Sequence, residues 1–146
     1  MCAAFDDAAA YLRKDAAERR LIDGVEHSRS GTYTLRTIRN GNDRYDPNSR
    51  TIYWDPQSAL QVVDDRGCPT GGRQSPALGL GHELDHACEP DRIAARLERT
   101  CDPNYTNAEE RRVIRGSERH AAHTLGENPR HNHDGRLYRV DSPASR

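Results

Sequence analysis

Apolar side chains recur at helical spacing near the N-terminus. The stripe comprises Phe5, Ala9, Leu12 and Ala16 within an alanine-rich segment. Asp6 can cap this segment, so the pattern predicts a helix from residue 6 to about residue 20. The sequence RRLIDGVEHS predicts a second, shorter helical piece that ends near Ser30-Gly31. Residues 1–30 are therefore expected to form a helical N-terminal part.

Beyond Gly31 the pattern changes to that of β-strands. TYTLRTI (Thr32 to Ile38) and TIYWD (Thr51 to Asp55) are rich in β-branched and aromatic residues, and the turn signal NGND lies between them. We expect a hairpin or a small antiparallel sheet. The composition of DDRGCPTGGRQS predicts a flexible loop. Near the C-terminus a short strand is expected at Leu137 to Val140, and residues 140–146 are expected to fray.

Two later helices have recognisable ends. Ser75 is a good N-cap for a helix through ALGLGHELDHAC, which Pro90 ends at the latest. A loop through TCDPNY follows. Thr106 and Glu109 then have the spacing of a capping box, which predicts that a second helix begins at Thr106. Gly126 is expected to close that helix as a C-cap.

Length and charge limit the class of protein. A chain of 146 residues with these elements is most simply one α+β domain. Only 34% of residues are hydrophobic and 31% are charged, but the net charge is −1 and the apolar residues are periodic, which indicates a folded protein. The balanced charge argues against nucleic-acid and membrane partners. We expect a monomer.

The sequence also bears on location and redox state. No apolar run approaches the roughly 20 residues of a membrane span. The start, MCAAFDDAAAYLRKD, lacks the pattern of a cleaved secretory signal, so we expect a bacterial cytoplasmic protein or one exported by machinery that reads another address. The four cysteines, Cys2, Cys68, Cys88 and Cys101, have no C-x-x-C spacing. Free buried thiols are favoured over a Cys88–Cys101 disulfide.

The stretch LGHELDHA contains the pattern His-Glu-x-x-His. On a helix, His82 and His86 lie one turn apart on the same face and can present both imidazoles to one ion. Zinc held by imidazole and carboxylate ligands lowers the pKa of a water to near 7, and the adjacent Glu83 can act on that water as a general base. The spacing therefore predicts one catalytic Zn²⁺. The other interpretation is a chance combination of His and Glu.

Asp85 lies between the two histidines, where helices of this kind usually carry an uncharged residue. We expect its carboxylate either to face solvent or to accept a hydrogen bond behind the ligands.

A catalytic zinc ion has three protein ligands, so a third is expected later in the chain. The following helix offers Glu110, Glu118, His120 and His123, since Glu109 is assigned to the capping box. Glu110 and Glu118 are separated by about 12 Å along a helix, so only one of them can bind the ion. Glu118 is favoured because its small neighbours allow close approach. Glu110 is the first alternative and a histidine the second. Otherwise both glutamates are solvated charges.

The segment RHNH places Arg130, His131 and His133 after this helix. A cationic or hydrogen-bonding side chain over a metal site can stabilise a developing oxyanion. These residues therefore belong either to an active site or to an ordinary polar tail. His27 has no partner in the sequence pattern and is expected on the surface.

In order along the chain, these motifs resemble those of NleD-like zinc-metalloprotease effectors of bacterial secretion systems and related polymorphic-toxin peptidase domains. The matching blocks, from residue 40 onward, are GNDRYDP with TIYWDP, then SPALGLGHELDHA, then NAEERRVIRGSERHAAHTLGENPRHNH. The resemblance implies a small zincin-like domain, in which the HExxH helix and a second, glutamate-bearing helix carry the metal beside a short antiparallel sheet.

The resemblance also implies a function. Members are zinc endopeptidases that a specialised bacterial system secretes without a cleaved signal peptide. In the cytosol of the target cell they cut host signalling proteins such as MAP kinases. For this chain the resemblance implies His82 and His86 as ligands, Glu83 as the base, a glutamate of the later helix as the third ligand, and His133 near the substrate.

Substrate binding and two alternative functions complete the expectations. TIYWD is the candidate edge strand for an extended substrate, and Tyr53 and Trp54 either line a subsite or anchor the core, with the core favoured for one of them. One alternative is a housekeeping SprT-like metalloprotease, which is disfavoured because the chain has no basic DNA-binding segment or cysteine zinc ribbon. The other is a non-catalytic metal-binding module.

Overall fold

The computed structural model describes residues 3–146, so the expectation for Cys2 lies outside the described residues. The α-helices are α1 (Ala3–Leu12), α2 (Ala16–Glu26), α3 (Pro76–Cys88), α4 (Asp91–Glu98), α5 (Ala108–Val113) and α6 (Arg119–Leu125). The π-helical turn Ile114–Glu118, which contains a kink with non-helical backbone at Gly116, joins α5 to α6. The strands are β1 (Thr34–Thr37), β2 (Arg44–Asp46), β3 (Thr51–Trp54), β4 (Ser58–Val63), β5 (Pro69–Gln74), β6 (Cys101–Asp102), β7 (Thr106–Asn107) and β8 (Gly135–Arg139). The expected α+β fold class is confirmed.

The N-terminal part is helical, but its internal boundary differs from the prediction. One helix was expected over residues 6–20, whereas the structure has α1 and α2 with a break between them. The carboxylate of Asp15 accepts hydrogen bonds from the backbone N–H groups of Ala17 (2.8 Å) and Glu18 (3.0 Å). An aspartate that binds these groups starts a new helix instead of continuing the previous one.

The first sheet has the strand order β1-β3-β2. Strand β1 runs parallel to β3, with Thr34 opposite Thr51, and β2 runs antiparallel to β3, with Tyr45 opposite Ile52. The expected hairpin between TYTLRTI and TIYWD is therefore wrong, because these two segments pair in parallel. The chain after NGND forms β2, and this strand supplies the antiparallel partner of β3. As β3 lies between two neighbours, the TIYWD strand has no open edge.

The second sheet is antiparallel and has the order β5-β4-β8. Strand β5 lies within the segment predicted to be a flexible loop. Its glycines and proline suggested that loop, but pairing with β4, as at Gln61 opposite Arg73, satisfies the backbone. Strand β8 confirms the predicted C-terminal strand, with Leu137 opposite Leu60.

Helix α3 is buried on nearly every side between α1, α2 and the first sheet. Leu80 and Leu84 of α3 pack in one cluster with Leu12 of α1 and Ile22 of α2, and all four side chains are at most 1% exposed. Trp54 is fully buried, and its indole N–H donates to the carbonyl of Pro76 at 2.8 Å, so the expected core role holds for Trp54. This packing fixes α3 in place.

The C-terminal residues are attached rather than frayed. The backbone N–H of Ala77 donates to the carbonyl of Pro143 at 2.8 Å, and the Arg146 guanidinium donates to the carbonyl of Gly126 at 3.0 Å. The tail therefore covers the start of α3 and the end of α6.

Three cysteines of the described residues are free thiols. Cys68, Cys88 and Cys101 are all exposed, so the expectation of buried thiols is wrong for them. None of the helices within residues 3–146 has the length and apolarity needed to cross a membrane.

Candidate active site

Helix α3 presents the two motif histidines as the sequence predicts. The Ser75 hydroxyl accepts from the backbone N–H of Leu78 and caps the helix. Four residues make about one helical turn, so His82 and His86 share a face, and their Nε2 atoms lie 3.0 Å apart. His82 and Glu83 are 5% and 7% exposed, so both are nearly shielded from solvent.

The N-cap of the helix facing α3 lies one residue later than predicted. Asn107 is the N-cap, since its side-chain oxygen accepts from the backbone N–H of Glu110 at 2.9 Å. Thr106 instead adopts a positive φ of 73° before the helix. The capping box expected from Thr106 and Glu109 is therefore wrong, and the Glu109 side chain is available for another role.

The π-helical turn changes which glutamates face α3. A regular α-helix advances about 100° per residue, so Glu109 and Glu118, nine positions apart, would lie on opposite faces. The backbone of Gly116 in this turn is not helical (φ −97°, ψ −108°), so α5 and the helix after this kink do not share one period. Glu109, Glu110 and Glu118 consequently all reach the histidines of α3.

The three glutamates contact different nitrogens. One oxygen of Glu110 is 3.0 Å from His82 Nε2, and the other is 3.4 Å from His86 Nε2. Glu118 instead lies 2.8 Å from Nδ1 of His82, and Glu109 lies 3.1 Å from Nδ1 of His86. The preference for Glu118 as third ligand is not supported by this arrangement, whereas Glu110, the alternative, faces both Nε2 atoms.

Each of the two outer glutamates is held by an arginine. Arg130 contacts both oxygens of Glu118, from Nε at 2.8 Å and from Nη2 at 2.5 Å. Arg112 donates to Glu109 at 2.7 Å. These ion pairs direct Glu118 and Glu109 toward the Nδ1 atoms and away from the Nε2 atoms, which explains why Glu118 is not in the predicted position.

The donor set fits a zinc ion. Zinc–ligand bonds of 2.0–2.1 Å in a tetrahedron place ligand atoms about 3.3 Å apart. The separations among His82 Nε2, His86 Nε2 and the Glu110 oxygens are 3.0 to 3.4 Å. Carboxylates at both Nδ1 atoms favour the tautomer whose Nε2 lone pair is free for a metal.

Electrostatics also favour a cation at this place. Burial lowers the pKa of His82, but hydrogen bonds with Glu110 and Glu118 outweigh burial and raise it to about 9. For His86, Glu109 and Glu110 likewise outweigh burial and raise the pKa to about 10. Burial raises the pKa of Glu110, yet the two imidazoles bring it well below its ordinary value. The carboxylates thus stabilise positive charge at the imidazoles.

Glu83 lies beside these groups but has a different environment. Burial raises the pKa of its carboxyl, and the neighbouring charges of His82 and His86 only partly oppose that effect. A carboxylate with a raised pKa beside a metal site is suited to accept a proton. This is the role that the sequence predicts for Glu83.

The remaining histidines divide into one near the site and several outside it. His133 Nε2 is 3.3 Å from Glu110, with 41% of its side chain exposed, so it stands at the mouth of the site. His120 contacts Asp15 with its side chain 64% exposed. The exposed residues away from the site are His27, His123 and His131. None of these four contacts the Nε2 atoms of His82 and His86.

Two cavities meet at the site. One of about 390 Å³ lies between β2 and α4, and one of about 240 Å³ lies toward β4, β5 and β8. The residues that line both are Asp43, His82, Glu83 and His133. The cleft therefore continues past the Glu83 carboxylate on both sides.

The edge strand beside the cleft is β2. It is the outer strand of its sheet, and Arg44 and Tyr45 line the larger cavity. The block GNDRYDP, which contains this strand, was noted in the sequence without a structural role. The prediction that TIYWD pairs with a substrate is wrong because β3 is central.

The sequence also left some site residues without a role. The capping-box spacing assigns Glu109 to a cap, and no sequence motif marks Arg112. Asp43, which lines both cavities, has its pKa raised to about 7 by burial. The only signal for these residues was their presence in the two charged blocks that carry the family resemblance.

No protein-family model, curated protein or solved structure matches the chain. The resemblance to NleD-like effectors therefore stays a prediction from the sequence.

Proposed function

We propose that this protein is a zinc-dependent endopeptidase. The observation that carries the proposal is the convergence of His82 Nε2, His86 Nε2 and the Glu110 carboxylate at zinc-ligand spacing, beside the buried Glu83. These groups lie in a cleft that extends in two directions from the site. A metal with three protein ligands keeps a position for chemistry, unlike a closed structural site.

The ligand residues are oriented from behind. His82, His86 and Glu110 would hold the ion, while Glu118 and Glu109 accept the Nδ1–H groups and keep the Nε2 lone pairs directed inward. A zinc ion held there supplies Lewis acidity and lowers the pKa of water.

Glu83 would perform the proton transfers. Its carboxylate oxygen accepts a proton from the water that attacks the scissile carbonyl, and the same oxygen then delivers that proton to the leaving amine nitrogen. Burial of Glu83 keeps bulk water from competing for the proton. His133, at the mouth of the site, is placed to donate a hydrogen bond to the developing oxyanion.

The shape of the cleft supports an internal cut in a polypeptide. Cavities on both sides of Glu83 give room for residues before and after the scissile bond. The open edge of β2 offers backbone groups to which an extended substrate can pair. The family resemblance supports a protein substrate in a target cell and secretion by a specialised bacterial system.

The proposal is tested by digestion. Purified protein loaded with one equivalent of zinc is incubated with a peptide library and the products are read by mass spectrometry. We expect new internal cleavage products with wild type and none with Glu83→Gln. Zinc binding without any cleavage would contradict the proposed activity and favour a non-catalytic metal-binding module. Failure to bind zinc would contradict the metal site itself.

A further inference from the structure

Asp85 lies within the HELDH motif but faces neither the two Nε2 atoms nor the solvent. Its side chain is 10% exposed, and one oxygen is 2.6 Å from the Arg112 guanidinium. The other oxygen accepts a hydrogen bond from the Ser117 hydroxyl. Asp85 therefore joins α3 to two points on the facing segment, Arg112 in α5 and Ser117 within the irregular turn.

The first connection leads to His86. Arg112 donates to Asp85 through Nη1 and to Glu109 through Nη2 at 2.7 Å. The Glu109 oxygen that receives this bond is also 3.1 Å from His86 Nδ1. One planar guanidinium thus fixes the angle between the Asp85 carboxylate and the carboxylate that orients His86.

The second connection leads to His82. Ser117 lies in the π-helical turn directly before Glu118, and Glu118 is 2.8 Å from His82 Nδ1. The bond from Ser117 to Asp85 anchors this turn to α3. It thereby limits the distance between the Glu118 carboxylate and the imidazole.

We propose that Asp85 is a positioning residue that holds both imidazoles of the metal site in register, through Arg112 and Glu109 on one side and through Ser117 and Glu118 on the other. This inference rests on the zinc site of the proposed function. A buried ion pair contributes little net stability on average, so its main effect here is geometric. It restricts α3 and the facing helix to one relative placement.

The test compares two ion pairs on neighbouring arginines. Asp85→Asn removes the charge that faces Arg112, and Asp102→Asn removes the charge that faces Arg111 at 2.9 Å. The side chains of Asp85 and Asp102 are equally exposed, at 10%, but the Asp102 pair has no contact with the imidazoles. Each variant removes the charge of a shielded aspartate that pairs with an arginine of helix α5, so the two are matched in the charge lost, although Arg111 is more exposed (50%) than Arg112 (30%).

The readouts are zinc affinity, by competition with a chelator, and the visible absorption of the Co²⁺-substituted protein, which reports ligand geometry. We expect Asp85→Asn to weaken zinc binding by about 10- to 100-fold and to change the Co²⁺ spectrum. Asp102→Asn should change zinc affinity by less than about threefold and leave the spectrum unchanged. Equal losses in the two variants, or wild-type zinc affinity in Asp85→Asn, would overturn the proposal.

Arg112→Lys provides a second variant. Lysine keeps the positive charge but lacks the planar fork that contacts Asp85 and Glu109 together, so we expect weaker zinc binding and the same spectral change as in Asp85→Asn. The double variant should bind zinc no more weakly than the single variant with the lower zinc affinity, because both changes break the same connection from Asp85 through Arg112 to Glu109. Additive losses would contradict the connection. These binding measurements need no substrate, so an absence of peptidase activity leaves them interpretable.

Discussion

The two helical segments that form the site differ in regularity. Helix α3 is a continuous α-helix, and the separation of four residues between His82 and His86 translates directly into adjacent imidazoles. The facing segment consists of α5, the π-helical turn and α6, with a non-helical backbone at Gly116 (φ −97°, ψ −108°). Sequence spacing predicts side-chain position only where a helix keeps one period.

The difference also separates two kinds of role. The regular helix supplies His82, Glu83 and His86, and their relative positions are set within one turn of that helix. The interrupted segment supplies Glu110 at the Nε2 atoms and Glu109 and Glu118 at the Nδ1 atoms. One carboxylate at the Nε2 atoms and two at the Nδ1 atoms require the break in helical phase at the Gly116 kink.

The strongest test of this contrast is a deletion. One residue corresponds to about 100° of helix rotation. Removing Gly116, the residue at the kink, would therefore rotate α5 relative to α6 and turn Glu110 away from the histidines. We expect zinc affinity to fall by more than about 100-fold, measured by chelator competition. Gly116→Ala is the matched control, because it keeps the number of residues, and a Cβ there meets no atom within 4 Å among the described residues outside its own helix and its two chain neighbours. Zinc binding by the deletion variant would show that the phase change is unnecessary.

A substitution on the regular helix separates chemistry from metal binding. We expect Glu83→Gln to retain zinc and the folded structure and to lower kcat by about 10²- to 10⁴-fold, because the amide cannot accept the proton. His86→Ala is the comparison, in which the metal is lost as well. Zinc content by mass spectrometry and peptide cleavage rates distinguish the two. Full activity in Glu83→Gln would mean that another group accepts the proton.

Substitutions of the glutamates in the interrupted segment should lower zinc affinity by different amounts. We expect Glu110→Gln to lose most zinc binding, since this side chain faces both Nε2 atoms. Glu118→Gln should weaken zinc binding by about 10- to 100-fold through the Nδ1 contact with His82. Titration of each variant with zinc gives the order of the two zinc affinities. The reverse order would restore Glu118 as the ligand that the sequence favoured.

The sequence was sufficient for the parts of the molecule governed by local pattern. The Ser75 cap, the helix that carries HELDH and the Gly126 C-cap all follow from neighbouring residues, and the structure has each of them. The parallel pairing of β1 with β3 joins strands that are distant along the chain, and no local signal specifies it.

The candidate site was likewise predictable only where local sequence pattern determines it. The HELDH motif identifies the two histidines and Glu83, and the following helix offers Glu110 and Glu118 as alternative ligands. Their order could not be derived, because the π turn has no local sequence pattern and the arginines that hold Glu109 and Glu118 act through tertiary contacts. The capping-box pattern of Thr106 and Glu109 also conceals the contact of Glu109 with His86, because the true N-cap is Asn107.

The smallest expected effect concerns the back of α3. Glu18 of α2 is fully buried against Gly81, and neither of its carboxylate oxygens has a hydrogen-bond partner among residues 3–146. Burial, with the nearby charges of Asp15, Asp85 and Glu118, raises the pKa of Glu18 from 4.5 to about 8. Below pH 4.5 the carboxyl is protonated in both the folded and the unfolded chain.

Between pH 4.5 and 8 the folded state holds a proton at Glu18 that the unfolded state releases. The stability contributed by that proton is therefore lost as the pH rises, at no more than about 1.4 kcal/mol per pH unit. Glu18→Gln removes this dependence, so we expect the free energy of unfolding of the variant relative to wild type to increase from pH 5 to pH 8. Urea denaturation at several pH values measures the difference, and Glu26→Gln, at the exposed end of the same helix, controls for the loss of one charge. A difference that stays constant with pH would place the ionised form of Glu18 in the folded protein, and α3 would then need a compensating positive charge behind Gly81.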